Sequence, residues 1–262
     1  MSQLLEGEFR IIQDGWIKID RSDWAIGLTN VRNSRMLIGL NQLLFRHAGK
    51  FVLVDTGLGD KWGDEEVGLL DFQKPRGLKA GLAESGVRPE DVDIVVYSHL
   101  HYDHSGGGTH RSGVDLFAPS FPNAVYYVQR AEMHAAAQPE AIATGDFRPE
   151  DVYPLEANSQ LQIVDGDAEI LPGVSLHQAP GHTVGHQVLV ARLGNETLFY
   201  PGDLISTRVH ANLLVTMSYD EDRDRILFER AKWLKNAQAG GWQIVLCHAI
   251  RDPLYRLPVL TQ

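Results

Sequence analysis

A single cysteine, Cys247, occurs in the 262 residues, so no disulfide within the chain is possible. Any metal chemistry therefore has to rest on His, Asp and Glu. No apolar run approaches the ~20 residues that a membrane span requires. The opening stretch MSQLLEGEFRIIQDG also lacks the basic flank and apolar core of a secretory leader. No membrane association and a cytoplasmic location are the resulting expectations. Basic excess is missing too. A formal net charge of −10 repels phosphate backbones and anionic lipid, so nucleic acid is not an expected partner. Low-complexity tracts, repeats and Pro/Ser-rich linkers are absent, which leads to the expectation of one domain over residues 1–262. With 44% hydrophobic and 22% charged residues, the chain has the composition of a globular protein with a sizeable core.

Strand patterns dominate each half. FRIIQDGWIKI is β-rich, MLIGLNQLLF and KFVLVDTG flank a hairpin turn at RHAGK, and DVDIVVYS reads as a short buried strand. Further strands are predicted at NAVYYVQ, in the meander LQIVDGDAEILPGVSLHQAPG, in the hairpin HQVLVARLGNETLFYPGD, and at WQIVLCH. Helices are predicted over RGLKAGLAESG, ending at Gly86, over RAEMHAAAQ, and over DEDRDRILFERAKWLKNAQAGG. On the last of these, Ile226, Leu227, Ala231, Leu234 and Ala237 fall on one face. The pattern predicts two sheets packed together with helices outside.

Ligand-type residues are concentrated in SHLHYDHSGG, Ser98–Gly107, directly after the buried strand. His99 and His101 are two positions apart and share a side in an extended segment. Asp103 and His104 are adjacent and diverge unless the backbone turns, which Gly106, Gly107 and Gly108 permit. The four can divide between two neighbouring metal positions. Three more candidates sit at strand ends beside turn residues: His182 in APGHTVGH, Asp203 in FYPGDLI and His248 in IVLCHA. Five His and two Asp suit two borderline ions sharing a carboxylate. A closed structural zinc site would more often use cysteine, and a chance cluster of this density is rare. Cys247 precedes His248 in an apolar strand, so alternation turns its side chain to the opposite face, into packing.

Taken together, VLVDTGLG, SHLHYDHSGG, PGHTVGHQ, YPGDLI and LCHA resemble the metallo-β-lactamase-fold hydrolases over nearly the whole chain. The resemblance implies an α/β (α+β) fold, an αββα four-layer sandwich of two mixed β-sheets with helices outside and a dinuclear site at one edge. It further implies that His99, His101 and His182 hold one divalent ion. Asp103, His104 and His248 would hold the other, and Asp203 would bridge them. Zn is the first expectation, with Mn, Fe or Co as alternatives. Asp55, in VDTG, would orient the ligand loop through hydrogen bonds. His186 more plausibly supports the His182 loop than binds metal.

Within that family GDLISTRVHANLLVTMSYD is most similar to the N-acyl-homoserine lactonase-like branch. The tyrosine that in better-known lactonases follows the bridging Asp by three positions is Ser206 here. The implied activity is lactone opening by attack of a metal-bridging hydroxide, with Asp103 and Asp203 as catalytic carboxylates. Ser206, His210 and Tyr219 are the candidate substrate contacts, with Arg208 beside them, and a small ester or lactone is the expected partner. A homodimer is plausible by the same resemblance. Two other functions fit the same residues: an aryl ester or phosphotriester hydrolase, and a non-catalytic metal-dependent binding or sensor protein. Leu116, Phe117, Phe121 and Phe147, between the two histidine motifs, either cover an acyl chain or pack beneath the loop.

Overall fold

A computed structural model describes residues 3–27, 34–74 and 76–258. In chain order its strands are β1 (Phe9–Asp20), β2 (Arg35–His47), β3 (Lys50–Val54), β4 (Ile94–Val96), β5 (Thr109–Gly113), β6 (Leu116–Pro119) and β7 (Val125–Gln129). They continue as β8 (Leu161–Val164), β9 (Ala168–Leu171), β10 (Val174–Gln178), β11 (Gln187–Leu193), β12 (Glu196–Tyr200), β13 (Gln243–Val245) and β14 (Leu254–Tyr255). One sheet has the order β1-β2-β3-β4-β7-β8 and the other β14-β13-β12-β11-β10-β9, while β5 and β6 form a separate hairpin. Both large sheets are mixed: β3, β4, β7 and β8 pair in parallel, as do β12 and β13, and the remaining pairs are antiparallel.

Alternation along each strand explains the layering. Leu43, Phe45, Val52 and Val54 face Leu176, Leu189, Leu198 and Val245 across the space between the sheets. Their neighbours Leu44, Leu53 and Val95 point outward onto Leu78, Leu82, Val152 and Leu155 of the flanking helices Leu78–Glu84 and Pro149–Ala157. On the far side, Val188, Val190, Phe199 and Ile244 pack on helix Arg223–Gly240. The inner strands are thus buried on both faces, which is why they read as continuous apolar runs rather than alternating ones. The result is the expected four-layer αββα arrangement.

Several local expectations shift. The helix that closes the fourth layer starts at its cap Asp222, which accepts from Arg225 N at 2.9 Å, and ends before Gly241 at φ +62°. Its buried face is Ile226, Glu229, Arg230, Trp233 and Ala237, and Ala231 is exposed. The face is rotated because Arg230 goes inward, donating from Nε to Leu204 O at 2.8 Å and from Nη1 to Val215 O. Burial of Ile226 there contributes about 2 kcal/mol. Helix Pro149–Ala157 was not anticipated, since Pro154 interrupts its pattern. Strand β13 is shorter than WQIVLCH suggests and ends at Val245.

Two backbone approaches build the floor of the functional edge. At the bulge in β1, buried Asp14 accepts from Leu58 N (3.1 Å), Gly59 N (3.2 Å) and Leu78 N (2.9 Å), tying the loop after β3 to β1. That loop lies against Gly106–Gly108, where a Cβ on Gly107 would fall 2.1 Å from Thr56 O and one on Gly108 would fall 1.8 Å from the Tyr97 hydroxyl. Close packing, not a turn of positive φ, is what these glycines supply. The reversal itself is the single helical turn Tyr102–Ser105. Lys61 Nζ reaches Gly106 O and pairs with buried Asp151 at 2.7 Å, pinning the glycine segment from behind.

Candidate metal centre

The seven predicted ligands come from loops at one end of the sandwich. His99–His104 follow β4, His182 lies between β10 and β11, Asp203 follows β12, and His248 follows β13. Each leaves the end of a strand held on both sides by the core, so the loops inherit the rigidity of the sheets. His99 Nε2 lies 3.0 Å from His101 Nδ1, which lies 3.1 Å from His182 Nε2. On the other side, His104 Nε2 and His248 Nε2 are 3.1 Å apart. Asp203 stands between the groups, with Oδ2 at 3.3 Å from His182 Nε2 and Oδ1 at 3.1 Å from His248 Nε2 and 3.5 Å from His104 Nε2. Asp103 Oδ2 is 3.6 Å from His248 Nε2 and 3.9 Å from His104 Nε2, on the open side.

Buried acceptors behind the imidazoles decide which nitrogen faces the centre. His104 Nδ1–H donates to Asp55 Oδ2 (2.7 Å), His182 Nδ1–H to Asp220 Oδ1 (3.0 Å), and His248 Nδ1–H to Gly39 O (2.8 Å). Ser98 Oγ donates to Asp55 Oδ2 (2.8 Å), which leaves its lone pair to accept from His99 Nδ1–H (3.0 Å). In all four residues Nε2 is the nitrogen aimed into the centre. Asp55 is held in turn by Ser98 N at 2.7 Å and the Tyr200 hydroxyl at 2.9 Å, in a left-handed backbone conformation at φ 57°.

The donor set fits cations. Burial, reinforced by the surrounding imidazoles, holds the pKa of His99 and His101 well below the usual histidine value, so both are neutral donors. Burial opposes charge on Asp203, but attraction to the imidazoles of His248, His104 and His182 outweighs it and holds its pKa well below the carboxylate range. The neighbouring carboxylates in turn raise the pKa of His104 and His182 against their burial. At most one proton can lie along each of the nitrogen contacts near 3 Å, so each contact holds at least one bare lone pair beside an ionised carboxylate. Such an arrangement is repulsive between the nitrogens unless a positive charge sits among them. Histidine nitrogens and a shared carboxylate are the donors that borderline divalent ions take.

Cys247 departs from the expected orientation. Because the strand ends at Val245, alternation no longer governs the next residues, and Cys247 Sγ lies 3.2 Å from Asp203 Oδ1 and 3.3 Å from Gly202 O. It therefore converges with His104, Asp203 and His248. Burial, and then the Asp203 charge, push its pKa well up, so the thiol is protonated and donates.

The candidate substrate residues divide. Tyr219 lines a cleft of ≈ 100 Å³ over Asp103 and Asp203, with Ile17, Ile38 and Trp24. Burial, followed by the charges of Asp23 and Asp20, pushes its hydroxyl up to about 12, so it stays protonated at neutral pH. Ser206 is not on the cleft: its hydroxyl faces Asp203 O and Met217 Sδ in the interior. His210 is likewise buried, bonded to Thr207 Oγ1 (3.0 Å) and the Trp24 carbonyl (2.9 Å). It holds the Trp24 wall from behind. His186 supports the loop, accepting from Asp203 N at 3.1 Å. Phe121 packs in the core, and Phe147 stands 5.0 Å from the His101 ring.

Burial, assisted by Arg230, drives the His210 pKa down to about 4 from 6.5, although the Trp24 carbonyl opposes this. Below pH 6.5 the unfolded chain binds a proton that the folded chain refuses. Stability is therefore lost as pH falls from 6.5 towards 4, by about 3 kcal/mol at the limit. His210→Gln, which removes this refusal, should have a lower Tm than the parent at pH 7.5 and close that gap by pH 4.5. A Tm difference that stays constant across the range would count against this role.

Some contributors gave no sequence signal. Asp220 lies in an acidic stretch, SYDEDRD, that reads as the start of a helix. Glu132, on helix Arg130–Ala136, is buried and accepts from Leu100 N (2.9 Å), Thr183 Oγ1 (2.6 Å) and Gly185 N (3.1 Å). It joins the loop carrying His99 and His101 to the loop carrying His182.

Comparison with known proteins places these features in a family. The sequence model described as "Metallo-beta-lactamase superfamily" matches residues 39–248. A curated protein from Bacillus sp, named N-acyl homoserine lactonase, is 38% identical over 150 residues, covering 53% of this chain and 52% of that protein. The chain thus spans about half the length of the curated relatives it matches. Among solved structures, a probable metal-dependent hydrolase from Staphylococcus aureus has a TM-score of 0.83 at 19% identity, covering 99% of this chain and 100% of the other. AidC, described as a dizinc quorum-quenching lactonase in complex with a product, has a TM-score of 0.76 at 23% identity, covering 100% of this chain and 98% of the other. At these identities the two structures establish a shared fold.

Proposed function

We propose that this chain, which belongs to the metallo-beta-lactamase superfamily, is a dinuclear metal-dependent hydrolase that opens lactones of the N-acyl-homoserine type. The observation that carries the reading is the placing of Asp203, one oxygen towards each of two histidine groups. His99, His101 and His182 would hold one divalent ion, and His104, His248 and Asp103 the other, with Asp203 shared. Zn is the first choice among ions this donor set accepts. Two such ions, when bound, make water available as a nucleophile at neutral pH and polarise the ester carbonyl.

The chain's own residues supply the rest. Ile17, Ile19 and Ile38 form an apolar wall beside the cleft, suited to the hydrocarbon part of an acyl group, while Asp103, Asp146 and Tyr219 present polar atoms across from it. The Tyr219 hydroxyl, protonated at neutral pH, can donate to an oxygen that becomes charged as the ring opens. Asp203, ionised and buried, can receive the proton released from the attacking water at the oxygen that faces His182 or His248. The names of the curated relatives support the choice of lactone over other esters.

A panel of N-acyl-homoserine lactones, aryl esters and phosphotriesters tests this on protein of measured metal content. Lactones should be turned over with kcat/KM about 100-fold above the others. A preference for aryl esters or phosphotriesters would replace the lactone reading. No turnover of any class would leave a metal-dependent binding or sensor protein.

A further inference from the structure

Across Trp24 from the metal-facing cleft lies a second and larger depression, a groove of ≈ 430 Å³. Trp24 is common to both, and its ring meets the His248 ring edge-on at 5.3 Å, so the groove ends against the back of the metal centre. Met36, Leu37, Val209 and Ile250 give it apolar sides, with Val209 and Ile250 exposed to solvent. Three arginines, Arg21, Arg208 and Arg251, also line it, and among the described residues no carboxylate does.

The charge is out of keeping with the rest of the molecule. In a chain of net charge −10, many basic side chains are matched with acids, as in Lys50–Asp93, Arg76–Glu84 and Arg130–Asp165, whereas others such as Arg35 and Arg192 stand singly; here three arginines share one groove. None of the three groove arginines forms an ion pair among the described residues. Arg208 instead reaches a backbone carbonyl, Asp252 O, at 3.5 Å and lies over the Tyr255 ring. Guanidinium groups left without a carboxylate beside an apolar trough form a complementary surface for one kind of ligand, a hydrocarbon chain ending in an anion. The volume falls in the range of small-molecule sites, whereas the metal-facing cleft is several times smaller.

We propose that this groove is a binding site for a dissolved single-chain amphiphile with a carboxylate head, its chain between Trp24 and Val209/Ile250 and its head among Arg21, Arg208 and Arg251. The site does not depend on the hydrolase reading, because its readout is binding. Since the occupant touches Trp24 and the rear of His248, such a ligand is placed to alter the metal centre without entering it.

Isothermal titration of the metal-loaded protein with decanoate, decan-1-ol and acetate tests the proposal. Decanoate should bind about tenfold or more tightly than the alcohol, and acetate should not bind measurably in the same range. Joint replacement Arg21→Gln, Arg208→Gln and Arg251→Gln should remove the advantage of decanoate, with metal content and Tm unchanged. Each single change should remove part of it. Ile250→Glu should weaken both long-chain ligands. Equal binding of decanoate and decanol would overturn the site. So would decanoate affinity that survives the triple change, because that carboxylate would then be on the metal ions. Binding confined to phosphatidylglycerol vesicles, with none to dissolved decanoate, would also overturn it and make the face a membrane contact.

Discussion

Asp203→Asn should lower lactone turnover by about 10³-fold, equivalent to roughly 4 kcal/mol of lost transition-state stabilisation. Asp203 is the carboxylate with an oxygen within 3.5 Å of both histidine groups. An asparagine keeps the shape but turns an NH₂ towards one of them, where a lone pair is needed. The same change removes the negative charge that offsets the cations in a buried centre. Metal content should fall from two ions per chain towards one, read by mass spectrometry of the purified protein. Because Asp203 N donates to His186 through the backbone, that anchor survives, and near-UV circular dichroism should stay native. An unchanged rate with two ions retained would take Asp203 out of the mechanism.

Glu132→Ala should be the most destabilising single change outside the ligands, by about 4 kcal/mol, since three buried donors each lose an acceptor at roughly 1–3 kcal/mol. For a chain of this size that corresponds to a fall in Tm of about 10 °C. The helix backbone and the His182 loop are in close contact there, since a Cβ on Gly185 would sit 2.1 Å from Glu132 N. Glu132 bonds Leu100, between His99 and His101, on one side and Thr183 and Gly185, around His182, on the other. Metal affinity should therefore weaken by about 10–100-fold along with stability, as expected when a group that orients ligands is removed. Glu132→Gln keeps one acceptor and should fall between. A Tm within 2 °C of the parent would show that the two loops are positioned independently of this carboxylate.

The difference between these two residues says what kind of information the chain carries openly. Asp203 was legible because it follows an apolar strand and a Pro-Gly turn and completes a pattern begun at His99. Glu132 lies in RAEMHAAAQ, which reads as an ordinary short helix. Its role exists only because that helix packs between two loops that meet through the fold. Cys247 went astray for a related reason. Alternation predicts direction only while the strand lasts, and β13 stops two residues earlier. Ser206 is a candidate through the position that a tyrosine holds in similar lactonases, and His210 through its nearness to Asp203 in sequence, yet the turns around them carry both side chains inward.

By itself the sequence determined the two-sheet architecture, through long apolar runs that must be covered on both faces, and the identity of the metal-ligand candidates, through strand-end spacing. Only the tertiary structure decided which nitrogen of His104, His182 and His248 faces the centre. The acceptors that settle it are Asp55 for His104, Asp220 for His182 and Gly39 for His248, 49, 38 and 209 positions away along the chain. A hydrogen bond to one ring nitrogen fixes the proton there and frees the other, and contacts across such separations have no local sequence pattern to announce them.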